Sequence, residues 1–363
     1  MDPAGRGRRP PAPGTPYHLA VMREPGSGAV RVGPDRPPRR RPHRSRRHHP
    51  PRVHHLGRTA TVVVAVMTAA LAAVLLAGTV AGARITPGST RARAADPTYV
   101  ALGDSYTSGP AIPRQLTPAT DPAAPSTCLR SSENYPSLTA RALGLALTDV
   151  SCGGATTSDL TGPQGAGIPA QLSAVRPDTA VVSVGIGGND LGFSSIAAEC
   201  ASATPWGLTR VGWSCARHFA TDGSDGLATD LAQVGVRVAS VLDAIRHRDR
   251  HARVFVVGYP SILPPSGPGC WPLLPFSATD AAFLRGVESR LNTTLADAAA
   301  AAGDTYVDTA TASADHDACT GDDTLWVEPV VPSPHTYPLH PSAVGMAGMA
   351  AHLELAIRSA GVQ

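Results

Sequence analysis

The chain has 363 residues, enough for one or two domains, and its net charge of +3 hides two oppositely charged parts. Residues 1–58 carry 14 arginines against 3 acidic residues, whereas residues 96–363 carry 14 arginines against 25 acidic residues. The basic excess therefore excludes nothing about the body of the chain and belongs to its N-terminal stretch alone.

In chain order, residues 1–58 come first, rich in Pro, Arg and His, as in "PPRRRPHRSRRHHPPRVHH". They hold too few apolar residues to offset the entropy of ordering, so they read as disordered. A basic run of this kind can bind nucleic acid, but the next segment favours a different reading, and no nucleic-acid partner is expected. Residues 59–83, "TATVVVAVMTAALAAVLLAGTVAGA", carry no charge. At ~1.5 Å per residue such a helix outspans a hydrocarbon core of ~30 Å. With arginines before it and the acidic body after it, the positive-inside rule puts the N-terminus in the cytoplasm and the body outside. The segment reads as a membrane anchor or as the apolar core of a signal peptide. Ala81-Gly82-Ala83 and Ala92-Arg93-Ala94 both offer cleavage patterns, and Met22 offers an alternative start. Residues 84–96 form a short linker.

The body, residues 97–363, holds all six cysteines. An even number in an exported domain suggests disulfides. Of the 15 connectivities that six cysteines allow, pairing of chain neighbours gives Cys128–Cys152, Cys200–Cys215 and Cys270–Cys319. Apolar runs predict five strands: "TYVALG" from Thr98, "LALTDVSC" from Leu145, "DTAVVSVGIGGND" from Asp178, "ARVFVVGYP" from Ala252 and "DTYVDTA" from Asp304. Near-continuous apolar runs suit strands buried on both faces. Between them, Leu227, Leu231, Val234, Val238, Val241, Leu242 and Ile245 share one helical face. A second helix runs from a Ser or Thr cap near Ser277 to Gly303, and a last one starts near Pro341. Alternating strands and helices predict a parallel sheet with helices on both faces. Ligands then bind at the carboxyl ends of the strands.

The unusual residues fall there. Gly103-Asp104-Ser105 ends the first strand, Cys152-Gly153-Gly154 the second, and Gly187-Gly188-Asn189-Asp190 the third. Ser105 alone is open to two readings, a helix N-cap or a nucleophile. With "PLHPSAVGMAGMA" near the C-terminus, these blocks resemble the GDSL, or SGNH, hydrolase family, and most closely its secreted actinobacterial lipases and esterases. The resemblance spans nearly all of residues 97–360. It implies a flavodoxin-like three-layer α/β/α fold and serine-ester chemistry on an ester or lipid substrate, without metal or organic cofactor; a monomer is expected.

Residue by residue, the resemblance makes Ser105 the nucleophile and His340 the base. The Ser105 and Gly154 N–H groups and the Asn189 side-chain amide become the oxyanion hole. Serine needs such a base to take its proton, and the tetrahedral intermediate needs fixed donors. Asp104 and Asp190 read as structural. His335 is the competing base, because it lies on the same loop. Many family members carry Asp three residues before the histidine; here Tyr337 stands at that position. The expectation is therefore a Ser–His dyad in which the Tyr337 main-chain carbonyl accepts from His340 Nδ1–H, with Asp317 and Asp323 as alternative acids. Trp206, Trp213, Trp271, Leu273, Leu274, Pro275 and Phe276 lie in long cysteine-bearing loops and either line an acyl groove or pack as small cores. An acyltransferase on the same fold, and an anchored non-catalytic binding protein, are the alternative functions.

Overall fold

A computed structural model describes residues 96–362, apart from 122, 203–213, 222–223, 322 and 332–334. The expected basic segment 1–58, the apolar segment 59–83 and the linker up to residue 95 lie outside the described residues, as do Trp206 and Trp213. Among the described residues, no helix is long and apolar enough to cross a membrane.

Five short strands build the central sheet: β1 (Thr98–Gly103), β2 (Ala146–Asp149), β3 (Val181–Gly185), β4 (Arg253–Val257) and β5 (Thr305–Val307). All pair in parallel in the order β2-β1-β3-β4-β5. β1 and β3 sit at the centre, and apart from Thr98 every one of their residues is buried. Their apolar runs are continuous because helices cover both faces. The chain order reverses between β1 and β3, and crevices open at such points on the carboxyl side of parallel sheets.

The long helices follow their apolar stripes. α7 (Ala228–Arg248) buries Leu231, Val234, Val238, Val241, Leu242 and Ile245 and packs against α8 (Ala278–Ala302). Ser277 caps α8 through the Asp280 N–H at 3.1 Å, and Gly303 ends it. α2 (Tyr135–Leu143) packs against α9 (Ala343–Ser359), whose cap is Ser342. The result is the expected three-layer α/β/α architecture. One local expectation is corrected. The long cysteine-bearing loop expected before Trp206 begins as a helix, α5 (Phe193–Ser202), which carries Cys200. Its apolar residues Ile196, Ala197 and Cys200 repeat at helical spacing and are buried.

Three disulfides join Cys128 to Cys152, Cys200 to Cys215 and Cys270 to Cys319, the neighbour pairing. The first ties the loop before α2 to the turn after β2. The second ties α5 to α6 (Cys215–Phe219). The third ties the loop after β4 to the loop that leads to α9.

Candidate active site

Ser105 opens α1 (Ser105–Ser108) immediately after β1. Asp104, at the cap, accepts from the Tyr106 N–H at 2.9 Å. The corner is tight. The Gly103 amide N–H and carbonyl are both held by the Gln171 side chain, at 2.8 and 2.9 Å. A Cβ on Gly103 would stand 2.6 Å from the Gly185 carbonyl, so only glycine fits.

The strand ends are laced together. Asp104 N–H donates to Gly185 O at 3.0 Å, and Cys152 N–H donates to Gly103 O at 3.0 Å. Asn189 Nδ2 donates to Ala155 O at 2.9 Å. Asp190 accepts from Thr157 N–H and Oγ1–H at 2.9 and 2.5 Å, and Arg237 lies 3.6 Å away. Asp190 thus braces α4 (Gly188–Leu191), the short helix after β3, against the start of α3 (Thr157–Thr161). Tyr259, just past β4, completes the set. Its hydroxyl donates to Asp104 Oδ2 at 2.6 Å and accepts from Gly188 N–H at 2.8 Å. Burial pushes the Asp104 carboxyl up to about 7, against the lowering effect of the Tyr259 and Tyr106 donors.

His340 Nε2 stands 2.9 Å from Ser105 Oγ, 235 residues away in sequence. His340 Nδ1 stands 2.9 Å from the Pro338 carbonyl. The Tyr337 carbonyl, the expected acceptor, instead receives the His340 backbone N–H at 3.1 Å. The reason is local: Leu339 adopts a left-handed conformation with φ 61°. That turn swings the Pro338 carbonyl, rather than the Tyr337 one, beneath the imidazole. The Tyr106 hydroxyl donates to the Leu339 carbonyl, and the Tyr106 and His340 rings lie 5.1 Å apart. Among the described residues no carboxylate forms an ion pair with His340. Asp317 caps its own turn at the Cys319 N–H, 2.7 Å away, and Asp323 is exposed. Burial pushes His340 below the ordinary imidazole value, with the Pro338 carbonyl opposing it. His335 is exposed on the same loop.

The three expected oxyanion donors are set in different ways. Ser105 N–H and Gly154 N–H have no acceptor among the described residues. Gly154 follows β2 with φ 74°, the left-handed region that favours glycine. Asn189 uses one amide hydrogen on Ala155 and keeps the second. Ser105 and Asn189 line one narrow cavity of about 30 Å³ together with Phe193, Ile262, Glu288 and Leu291. A second cavity, about 190 Å³, lies on the His340 side and is walled by Phe193, Ala197, Val330 and Leu339.

Among the described residues, neither cavity is lined by the apolar loop residues read as either groove or small cores. Leu274 and Phe276 are buried in the core, Pro275 is buried, and Trp271 is 58 % exposed. The carbonyl of Leu273 accepts from the Val330 and Val331 N–H groups. Sequence reasoning missed Tyr106, Gln171, Phe193, Tyr259, Ile262, Glu288 and Leu291. Tyr259 and Ile262 follow a parallel strand at its carboxyl end, which was the available signal.

Fold and site together define the class: an SGNH-type hydrolase, with its polar blocks gathered at the carboxyl edge of a parallel sheet. A family model described as the GDSL-like lipase/acylhydrolase family matches residues 101–347, and the chain belongs to that family. It is 38 % identical over 297 residues to Lipase 2 of Streptomyces coelicolor, covering 79 % of this chain and 95 % of that one. It is 31 % identical over 291 residues to a lipase of Streptomyces rimosus, covering 79 % and 93 %. Among solved structures, phospholipase A1 of Streptomyces albidoflavus aligns at TM-score 0.59 and 27 % identity, covering 72 % of this chain and 99 % of that one. The extracellular lipase of Streptomyces rimosus aligns at 0.57 and 29 %, with coverage of 72 % and 99 %. The chain is a carboxylic ester hydrolase of the lipase/esterase kind.

Proposed function

We propose that the protein is an exported serine esterase working through a Ser105–His340 dyad and an acyl-enzyme. His340 Nε2 takes the proton as Ser105 Oγ attacks the ester carbonyl. The Pro338 carbonyl accepts from Nδ1–H, so that Nε2 is left as the base. The negative charge of the tetrahedral intermediate meets Ser105 N–H, Gly154 N–H and the second amide hydrogen of Asn189. His340 then returns its proton to the leaving alcohol, and water resolves the acyl-enzyme by the same steps. The observation that carries this reading is the 2.9 Å approach of His340 Nε2 to Ser105 Oγ, with the other ring nitrogen held by a carbonyl.

Export is part of the proposal. It is supported by three disulfides in the body, a bond that persists in oxidising compartments. It is supported too by the uncharged residues 59–83 behind an arginine-rich stretch. The body then lies outside the cytoplasm, whether that segment is retained as an anchor or cleaved.

The test is hydrolysis of p-nitrophenyl butyrate by oxidised residues 96–363 beside Ser105→Ala. Turnover that Ser105→Ala abolishes is expected. Equal turnover by the variant, or none by the folded wild-type body, would overturn the dyad as the source of activity.

A further inference from the structure

Glu288 is a buried titratable group that the dyad does not use, and it lies at the cavity beside Ser105. It sits on the apolar stripe of α8 between Leu284 and Leu291 and is 6 % exposed. Its carboxylate meets the Ile262 N–H at 3.2–3.3 Å, and no other hydrogen bond or ion pair reaches it among the described residues. Burial pushes it up to about 8, so near neutral pH the group stands mainly as an uncharged acid.

Its position is unusual in a second way. Glu288 lines the narrow cavity beside Ser105 with Ile262 and Leu291. It also lines an outer groove of about 480 Å³, where Leu263, Ala296 and Ala310 stand among polar side chains such as Arg285, Asn292 and Asp308. One side chain therefore belongs to the walls of both spaces.

The proposed chemistry orients a substrate between them. His340 must deliver its proton to the leaving oxygen, so the alcohol part lies toward the cavity walled by His340, Val330 and Leu339. The acyl chain must then point away from His340, past Ser105 and Asn189. The narrow cavity at Ser105 and Asn189 differs from the His340-side one by its walls of Ile262, Leu291 and Glu288, while Phe193 borders both. A water-sized group needs ~10–15 Å³ on this measure, so a cavity of about 30 Å³ takes only a short chain. We propose that this cavity receives the acyl chain and that Glu288 is its end stop, the residue that sets acyl length by closing the cavity from the outer groove.

This inference rests on the serine-esterase reading and deepens it. An uncharged acid suits the role: it fills space at the end of an apolar pocket while its single backbone contact holds it in place.

The test is kcat/KM on p-nitrophenyl esters from C2 to C12 for wild type, Glu288→Ala and Glu288→Gln, each alone and with Ser105→Ala. The wild type is expected to peak at C4 or shorter. Glu288→Ala should raise the C10:C4 ratio by about tenfold or more, the discrimination that one or two methylenes earn in an apolar pocket. Glu288→Gln keeps the shape and should stay within about threefold of wild type. A wild type that prefers C8 or longer overturns the proposal, even if Glu288→Ala fails to fold. So does a folded Glu288→Ala that hydrolyses C4 with an unchanged C10:C4 ratio. Hydrolysis that survives Ser105→Ala would instead refute the esterase dyad itself, and so the two failures are distinct.

Discussion

Tyr259→Phe removes one oxygen and cuts two buried hydrogen bonds at once. The Gly188 N–H loses its acceptor at 2.8 Å, and Asp104 Oδ2 loses its donor at 2.6 Å. Tyr259 is 6 % exposed and Asp104 1 %, so water replaces neither partner readily. A buried polar group left unmade costs ~1–3 kcal/mol. The two together put the expected loss at about 3 kcal/mol, or a fall in Tm of roughly 6–10 °C for a domain of this size. The cost should also depend on pH. Asp104 has a folded pKa of about 7, raised above 3.8, so the fold favours its protonated form. Stability from that preference is full below 3.8 and declines as pH rises to about 7. Without the Tyr259 donor the pKa climbs further and the decline extends to higher pH. The Tyr259→Phe penalty should therefore be larger at pH 9 than at pH 5. On the proposed mechanism activity falls too, because Gly188 precedes the oxyanion donor Asn189. About tenfold in kcat is expected, less than the ~10²–10³ for outright loss of a donor. Thermal melts at pH 5 and 9, with butyrate ester kinetics, give all three numbers. A Tm within about 2 °C of wild type at both pH values, with kcat within about twofold, would refute the reasoning.

Other outcomes follow from the same geometry. The acid limb of kcat/KM should lie below the ordinary imidazole value, because burial lowers His340 and the base is lost only as pH falls through that lowered pKa; a limb above 6.5 in a kcat/KM titration would contradict it. Tyr337→Phe and Asp317→Asn should each leave kcat within about threefold, since Phe keeps the edge-on ring contact that Tyr337 makes with His340 and among the described residues neither the Tyr337 hydroxyl nor the Asp317 carboxylate bonds the imidazole; a loss over ~100-fold from either would restore that side chain to the site. Breaking the Cys270–Cys319 bond by paired serines should cost more stability in urea melts than breaking Cys200–Cys215. The closed loops span 49 and 15 residues, which the chain-entropy account turns into ~4 and ~3 kcal/mol; the reverse order would show that native-state contacts outweigh loop length.

Much of this arrangement is legible in the chain, and the misses have physical causes. The two central strands were readable because fully buried parallel strands make near-continuous apolar runs, as in Val181–Gly185. The α7 face was readable because seven apolar residues keep helical spacing. Ser105 and His340, which meet across 235 residues, could be paired in advance only through the family resemblance, since no local pattern links them. The acceptor of the imidazole was misplaced by one residue, because the left-handed turn at Leu339 has no signature in a leucine. Of the two readings left open for the apolar loop residues, Leu274 and Phe276 follow the packed-core one, because a loop rich in large apolar residues can bury them as core. Glu288 left a readable trace: an acid in mid-helix on the stripe of Leu284, Val287, Leu291 and Leu295. Such a residue is costly unless something in the fold uses it.

A carbonyl in place of a carboxylate changes where the proposed mechanism finds its stabilisation. Pro338 can fix the tautomer and the ring plane as well as an acid would, because orientation needs only an acceptor in line with Nδ1. What it lacks is a full negative charge to offset the imidazolium formed as Ser105 attacks. Burial has already made that cation less favourable, as the lowered His340 shows. The deficit must be met on the other side of the transition state, where the oxyanion forms in the same low-dielectric space. The donors there are fixed before substrate arrives: Asn189 by Ala155 and by the neighbouring Gly188–Tyr259 bond, Gly154 by its left-handed turn after β2, and Ser105 by the capped corner after β1. A dyad of this kind therefore leans harder on its oxyanion hole than a full triad does. Asn189→Ala should accordingly sit at the upper end of the ~10²–10³ range for kcat, and a loss of only a few-fold would place the compensation elsewhere.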